Sequence, residues 1–249
     1  MVAKGVGLML VEAIFPRRCF LCQGRAAEGL ICRGCRGDLI LNKKPCAICA
    51  EPMTTDSACS HHEALICRAC QRNPPAFDHV FAPFLYTYPL KEIIHRFKEQ
   101  HHLLLSRMLS DLLLTEAFNG LNTPKFKPDL IVPVPTHWRT RLQRGFNPAA
   151  VLADAIGRGI NVPVAMTALH KQTFTPSQHL LNRRQRLKNL EQSIQVRTPK
   201  DIKGKHILVV DDVVTTGSTV GVIAALLRDN GAQSVQVWAL ARTPPKWQQ

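Results

Sequence analysis

Long apolar runs, aromatic rings, acidic residues and late cysteines are all scarce in this chain of 249 residues. The longest early apolar stretch, Val6 to Phe15, is interrupted by Glu12 and falls well short of the roughly 20 residues that cross a bilayer. No transmembrane segment is therefore expected. Because no small-residue cleavage site precedes the first cysteine, the stretch reads as a short helix packed on the protein rather than as a signal segment. Aromatic residues make up 6% of the sequence, which leaves few stacking platforms and argues against a dedicated single-strand nucleic-acid binder. No G-x-x-x-x-G-K-[ST] occurs, so the chain lacks the phosphate loop of an ATP-driven motor. Asp and Glu number 18 against 32 Lys and Arg, for a formal charge of +14. Such an excess favours polyanionic ligands: a nucleic acid, or a small substrate with several phosphate charges.

Cysteine stops at residue 70. Eight of the nine fall into Cys19-x-x-Cys22, Cys32-x-x-Cys35, Cys46-x-x-Cys49 and Cys67-x-x-Cys70. A CxxC turn presents two thiolates to one ion, and a second turn completes a tetrahedron, so a segment too small for its own apolar core can fold around metal. Cys19, Cys22, Cys32 and Cys35 make one expected Zn2+ site, and Cys46, Cys49, Cys67 and Cys70 the other. Sequential pairing keeps each site local, although spacing alone leaves an interleaved pairing open. Four thiolates and one zinc dication carry −2 per site, which lowers the net charge to roughly +10. Zinc-ligand spacing without a disulfide framework points to a reducing, cytoplasmic setting. Cys59-Ser60-His61-His62, between the knuckles of the second site, reads as a surface loop with the composition of a rival ligand set. Arg72-Asn73-Pro74-Pro75 then marks a stiff connector, dividing a zinc module at residues 1–78 from a larger domain at residues 79–245.

In that larger domain, Val80 to Tyr88 reads as an early or edge strand, and Leu90–Phe97 and Leu103–Phe118 as helices. Asp129 to Pro135 reads as a further strand. It leads into a loop from Thr136 to Asn147 that carries Arg139, Arg141 and Arg144, with Asn147 capping a helix that starts at Pro148. The most informative run is Ile207 to Thr219. Ile207-Leu208-Val209-Val210 suits a strand buried on both faces. The spacing of Val220, Val222, Ile223, Leu226 and Leu227 predicts a helix. Between them, Thr215, Thr216, Gly217, Ser218 and Thr219 lie at a helix N-terminus, where free amides, the dipole and hydroxyl donors favour an anion. Asp211 and Asp212, at the carboxyl end of the strand, suit ribose hydroxyls or a metal ion.

This run resembles the phosphoribosyl pyrophosphate (PRPP) signature of type I phosphoribosyltransferases: four aliphatic residues, two acidic residues and a Thr/Gly/Ser loop. The resemblance implies an α/β fold with a mostly parallel sheet flanked by helices. It also implies that the loop holds the 5′-phosphate of Mg2+-bound PRPP and that the acidic pair holds the ribose. The order of zinc knuckles, Pro133-Val134-Pro135, Arg144-Gly145-Phe146-Asn147 and this signature is similar to the ComF family of competence-associated, amidophosphoribosyltransferase-like proteins, over nearly the whole chain. By that likeness Val134, Pro135 and Thr136 contact pyrophosphate. Residues 169–196, with Lys171, Arg183, Arg184, Arg186 and Lys188, correspond to a basic hood that closes over the site, or else form a solvated basic face. Arg144, Arg184 and Arg186 are the candidate catalytic cations. Purine-salvage members usually carry an Asp where this chain has Thr215, so the likeness implies no purine general base. The family implies a role in DNA uptake or in the use of DNA as a nutrient, with nucleic acid or DNA-uptake proteins as partners. Two readings stay open: transfer of a phosphoribosyl group to a nucleobase or amine, and a non-catalytic PRPP or nucleotide sensor with a nucleic-acid-binding or scaffolding zinc module.

Overall fold

The computed structural model describes residues 18–26, 29–53, 65–99, 103–119, 127–172 and 192–245. Val6–Phe15, Cys59–His62, Arg183, Arg184, Arg186 and Lys188 therefore lie outside the described residues. Among those described, no helix is long and apolar enough to cross a membrane.

The cysteine-rich part is built twice on one plan. In each half the first knuckle is a tight hairpin, bridged at Arg18–Arg25 in one and Pro45–Pro52 in the other. Its amide ladder runs from Cys19 N–H to Gly24 and from Cys46 N–H to Glu51. The residue after each first CxxC, Gln23 or Ala50, has a left-handed backbone (φ 59° and 55°) that reverses the chain. The second knuckle of each half opens a one-turn helix, α1 at Arg33–Gly37 and α2 at Arg68–Arg72, with Cys32 and Cys67 as the N-cap residues.

Five parallel strands form the main sheet. Strands β1 (His79–Phe81) and β2 (Phe84–Leu85) both pair with β7 (Ser234–Arg242). Beyond β7 lie β6 (His206–Val214) and then β3 (Leu130–Pro133), in the order β1-β7-β6-β3. The single strand expected over Val80–Tyr88 is thus two short pieces, separated by Ala82 and Pro83. Helices α3 (Leu90–Glu99) and α4 (Leu103–Asn119) occupy the expected segments, and α6 (Pro148–Ile160) starts at Pro148 as Asn147 predicts. The stretch Trp138–Arg144, expected to be loop, is instead a seven-residue helix, α5. His137 caps it, its Nδ1 accepting from Arg139 N–H at 3.2 Å, and Gly145 ends it at φ 76°.

Residues 207–210 of β6 are fully buried, and their pleat alternates between two cores. Ile207 and Val209 pack with helix α8 (Ser218–Asp229) and the second cysteine cluster. Leu208 and Val210 pack with α3, α4, α6 and Cys19 of the first cluster. Each such side chain contributes about 1.5–3 kcal/mol. A small antiparallel pair, β4 (Leu169–Lys171) with β5 (Ile194–Val196), flanks the main sheet, and a single-turn helix, α7 (Pro199–Ile202), leads into β6.

Candidate functional site

Strand lengths open the crevice. The ladder between β3 and β6 runs from Leu130–Ile207 to Pro133–Val210 and closes with Val134 N–H donating to Val210 C=O at 2.9 Å. Strand β6 continues to Val214, so Asp211 and Asp212 lie beyond the end of that neighbour while β7 still supports their other side. The acidic pair is thus part of a strand that runs four residues past the aliphatic run, rather than the start of a loop. Ligands of open α/β sheets bind in this position, outside the carboxyl ends of adjacent strands.

Two elements border the pair. After Val214 the chain passes through exposed Thr215 and Thr216 to Gly217, whose φ of 77° places it in the left-handed region, and enters the twelve-residue α8. Thr216 Oγ1 and Ser218 Oγ lie 2.9 Å apart, and Ser218 N–H approaches Thr216 Oγ1 at 3.4 Å, which curls the loop at the helix start. The first amides of a helix have no intrahelical acceptor, so this end presents donors to an anion. On the other border, Asn147 does more than cap α6. Its Oδ1 accepts from Ala149 N–H (3.1 Å) and from Thr136 Oγ1 (2.9 Å), while its Nδ2 donates to Val134 C=O (2.9 Å). One side chain thereby fixes the Val134–Pro135–Thr136 segment.

The structure adds a cation that sequence reasoning missed. Lys98, at the end of α3, forms an ion pair with Asp212, which is 8% exposed. Phe97 beside it is fully buried and meets Phe146 of the Arg144-Gly145-Phe146-Asn147 turn at a ring separation of 5.4 Å. The helix bearing Lys98 and the turn bearing Arg144 are therefore packed together. Burial pushes the Asp211 carboxyl well above the usual carboxylate range, the adjacent Asp212 charge pushes it further, and Lys98 partly offsets both. Lys171, at the end of β4, has its pKa lowered by burial. Of the predicted cations Arg184 and Arg186 nothing is described, whereas Arg144 lies at the C-terminal end of α5 and is partly buried.

The two cysteine sets fit zinc. Within each, the four sulfurs lie within 4.8 Å of one another, grouped as Cys19, Cys22, Cys32, Cys35 and as Cys46, Cys49, Cys67, Cys70. Sulfur separations of 3.8 Å (Cys22–Cys32) and 3.7 Å (Cys49–Cys67) match the roughly 3.8 Å edge of a tetrahedron with Zn–S bonds of about 2.3 Å. Backbone amides of Cys32 and Cys67 point at Cys19 and Cys46 sulfur at 3.4 and 3.3 Å, as thiolate acceptors require. In the protein without metal, a hydrogen bond from the Cys49 thiol leads the causes that pull Cys46 down to about 4, whereas burial leads those that push Cys70 up to about 12. A bound dication removes that uneven sharing by holding all four as thiolates.

Residues 113–249 match the family model for a phosphoribosyl transferase domain, and residues 10–71 match that for a double zinc ribbon domain. The chain is 36% identical over 231 residues to the DNA utilization protein YhgH of Escherichia coli (strain K12), covering 92% of this chain and 98% of that protein. Competence protein F of Haemophilus influenzae is 31% identical over 220 residues, covering 85% and 96%. Glutamine PRPP amidotransferase from B. subtilis, at 17% identity, covers 54% of this chain and 26% of its own, with a TM-score of 0.38. With a phosphoribosyl transferase domain behind two tetracysteine zinc sites and full-length likeness to these two proteins, the chain belongs to the ComF/YhgH family of phosphoribosyltransferase-like proteins.

Proposed function

We propose that the crevice between β3 and β6 binds PRPP and that the protein transfers its phosphoribosyl group to a nucleobase or amine. One observation carries this reading: partly buried Asp211 and buried Asp212, on β6 past the end of β3, are followed within a few residues by the Gly217 turn and the N-terminus of a twelve-residue helix. That order, a carboxylate pair followed by a helix N-terminus, suits the ribose and 5′-phosphate of one ligand. Thr215, Thr216, Gly217, Ser218 and Thr219 hold the phosphate, and Asp211 and Asp212 hold the ribose hydroxyls. Val134, Pro135 and Thr136, fixed by Asn147, meet the pyrophosphate.

Departure of pyrophosphate leaves an oxocarbenium-like anomeric carbon, so catalysis needs positive charge on the leaving group and exclusion of water. Arg144 supplies that charge from the α5 turn, and Arg184 and Arg186 supply it from the basic segment. Mg2+ would be held by PRPP itself together with Asp211 or Asp212, and it screens the diphosphate charge when bound. The names of the relatives support a place in the use of DNA, where bases released from it are acceptors of the right class.

The test is a panel of nucleobases and amines with Mg2+ and PRPP, read by pyrophosphate release, with Asp212→Asn as the control. Release with one acceptor, lost in Asp212→Asn, supports transfer. A second reading, a sensor of PRPP or a nucleotide, is favoured by Thr215, a residue that cannot act as a carboxylate base at the loop. Binding of PRPP without release across the full panel would select it.

A further inference from the structure

Arg242, at the end of β7, is 4% exposed. Its Nε donates to the carbonyl of Cys49 at 3.0 Å, and its Nη1 donates to the carbonyl of Val214 at 3.2 Å. Cys49 is a ligand of the second tetracysteine site, and Val214 is the residue immediately before the Thr215–Thr219 loop. No carboxylate among the described residues lies within ion-pair distance of Arg242. A buried guanidinium without a carboxylate partner is costly unless other charge and acceptors compensate it. Two main-chain carbonyls supply the acceptors. The net −2 of four thiolates around zinc supplies a counter-charge on the Cys49 side.

Position gives this contact its leverage. Strand β7 pairs Arg242 with Val214 on one side and with Leu85 on the other, so the side chain sits between the cysteine module and the sheet. The Val214 carbonyl also accepts from Thr243 N–H at 3.0 Å, and it is therefore held by two donors at the point where β6 turns into the loop. Further contacts bring the second cluster to the sheet edge: Val80 N–H to Ile48 C=O at 2.8 Å, and His79 Nδ1 to Ala47 C=O at 2.7 Å. Those contacts end on β1, whereas Arg242 alone among them continues across to β6.

We propose that Arg242 is a positioning residue that couples zinc occupancy of the Cys46/Cys49/Cys67/Cys70 site to the geometry of the Thr215–Thr219 loop. Filling the site fixes the Cys49 carbonyl, the guanidinium transmits that placement, and the Val214 carbonyl sets the start of the loop. The first tetracysteine site packs on the opposite core, and among the described residues Arg242 makes no hydrogen bond to it. The role rests on the loop being the phosphate-binding element. Coupling is reciprocal, so a ligand on the loop also strengthens metal retention at the second site.

Hydrogen exchange of peptides running from the loop into the first turns of α8, where Gly221 N–H is bonded to Gly217 C=O at 2.8 Å, tests the link in the full-length, zinc-loaded protein without any phosphoribosyl ligand. Arg242→Lys keeps the charge but cannot span both carbonyls. It is expected to retain both zinc ions and to speed loop exchange about tenfold, the worth of one charge-assisted hydrogen bond. Cys67→Ser, which empties the second site, is expected to speed the same peptides, while Cys22→Ser at the first site leaves them unchanged. Loop exchange at the wild-type rate in Arg242→Lys with both zinc ions bound overturns the proposal, and so does equal acceleration by Cys22→Ser and Cys67→Ser. If Cys67→Ser fails to fold, the Arg242→Lys result decides alone. Failure of PRPP to bind the wild-type protein would remove the ligand reading but leave this exchange result standing, so the two failures are separable.

Discussion

Replacing Gly217 by Ala separates the proposed phosphate-binding role of the Thr215–Thr219 loop from its role in folding. Gly217 has φ 77°, and a Cβ built on it meets nothing within 4 Å. The added methyl therefore causes no clash in the free protein, and the cost is that of holding an L-residue in the left-handed region, about 1 kcal/mol. In a chain of this size that lowers Tm by roughly 2–4 °C. If the proposed phosphate occupies that open space at the start of α8, the methyl should weaken PRPP binding about 10- to 100-fold, or roughly 1.4–2.8 kcal/mol. Gly157→Ala provides the contrast. Its Cβ would lie 2.5 Å from Val164 Cγ2 and 2.8 Å from the Val162 carbonyl, inside the packing of α6. Such overpacking costs about 1–3 kcal/mol of stability and should leave PRPP affinity unchanged. Thermal melts and calorimetric titration of both variants decide the matter. A Gly217→Ala protein that binds PRPP as tightly as wild type would refute the placement of the phosphate.

Three further outcomes follow from the same geometry. Elemental analysis of the purified protein should find two zinc ions per chain, one for each sulfur cluster, and Cys67→Ser should retain one; a wild-type value of one or none breaks the assignment. The raised pKa of Asp211 means that this group favours the folded state most below its unfolded value and loses that contribution as pH rises through the folded value. Binding of Mg2+ and PRPP, which favours the ionised carboxylate, should then be accompanied by proton release. Titration in buffers of different ionisation enthalpy reads that proton, and an undiminished release in Asp211→Asn would assign it elsewhere. Lys98→Met should cost about 1–3 kcal/mol by stranding the Asp212 charge, and clearly less in an Asp212→Asn background. Equal cost in both backgrounds would show that the pair is not coupled.

Local pattern carried the fold further than the site. Ile207–Val210 announces its strand because four consecutive aliphatic residues suit burial on both faces, and Pro148 and Asn147 announce α6 by capping chemistry alone. The knuckle spacing likewise makes two tetracysteine sites legible, and the structure selects the sequential grouping over the interleaved one. Trp138–Arg144 misleads because a seven-residue helix of Trp, Arg, Thr, Leu and Gln shows no apolar stripe, and its helical state rests on the His137 cap and the Gly145 stop. Lys98 and Arg242 escape for another reason. Their partners Asp212, Cys49 and Val214 are distant in sequence, so only the packed sheet brings them together. Lys98 does follow the fully buried Phe97 on an amphipathic helix, which places it at the margin of the core, but nothing in the sequence says which carboxylate it meets. Asn147 shows the same limit: its cap is legible, whereas its hold on Val134 and Thr136 needs the fold.

Calorimetric titration of PRPP with Mg2+ into the zinc-loaded wild-type protein, repeated with Asp212→Asn, tests the central claim most directly. The wild type should bind saturably and one-to-one, and Asp212→Asn should lose that binding with both zinc ions retained. Absence of binding by the folded, zinc-loaded wild type, or binding of equal strength by Asp212→Asn, would contradict it.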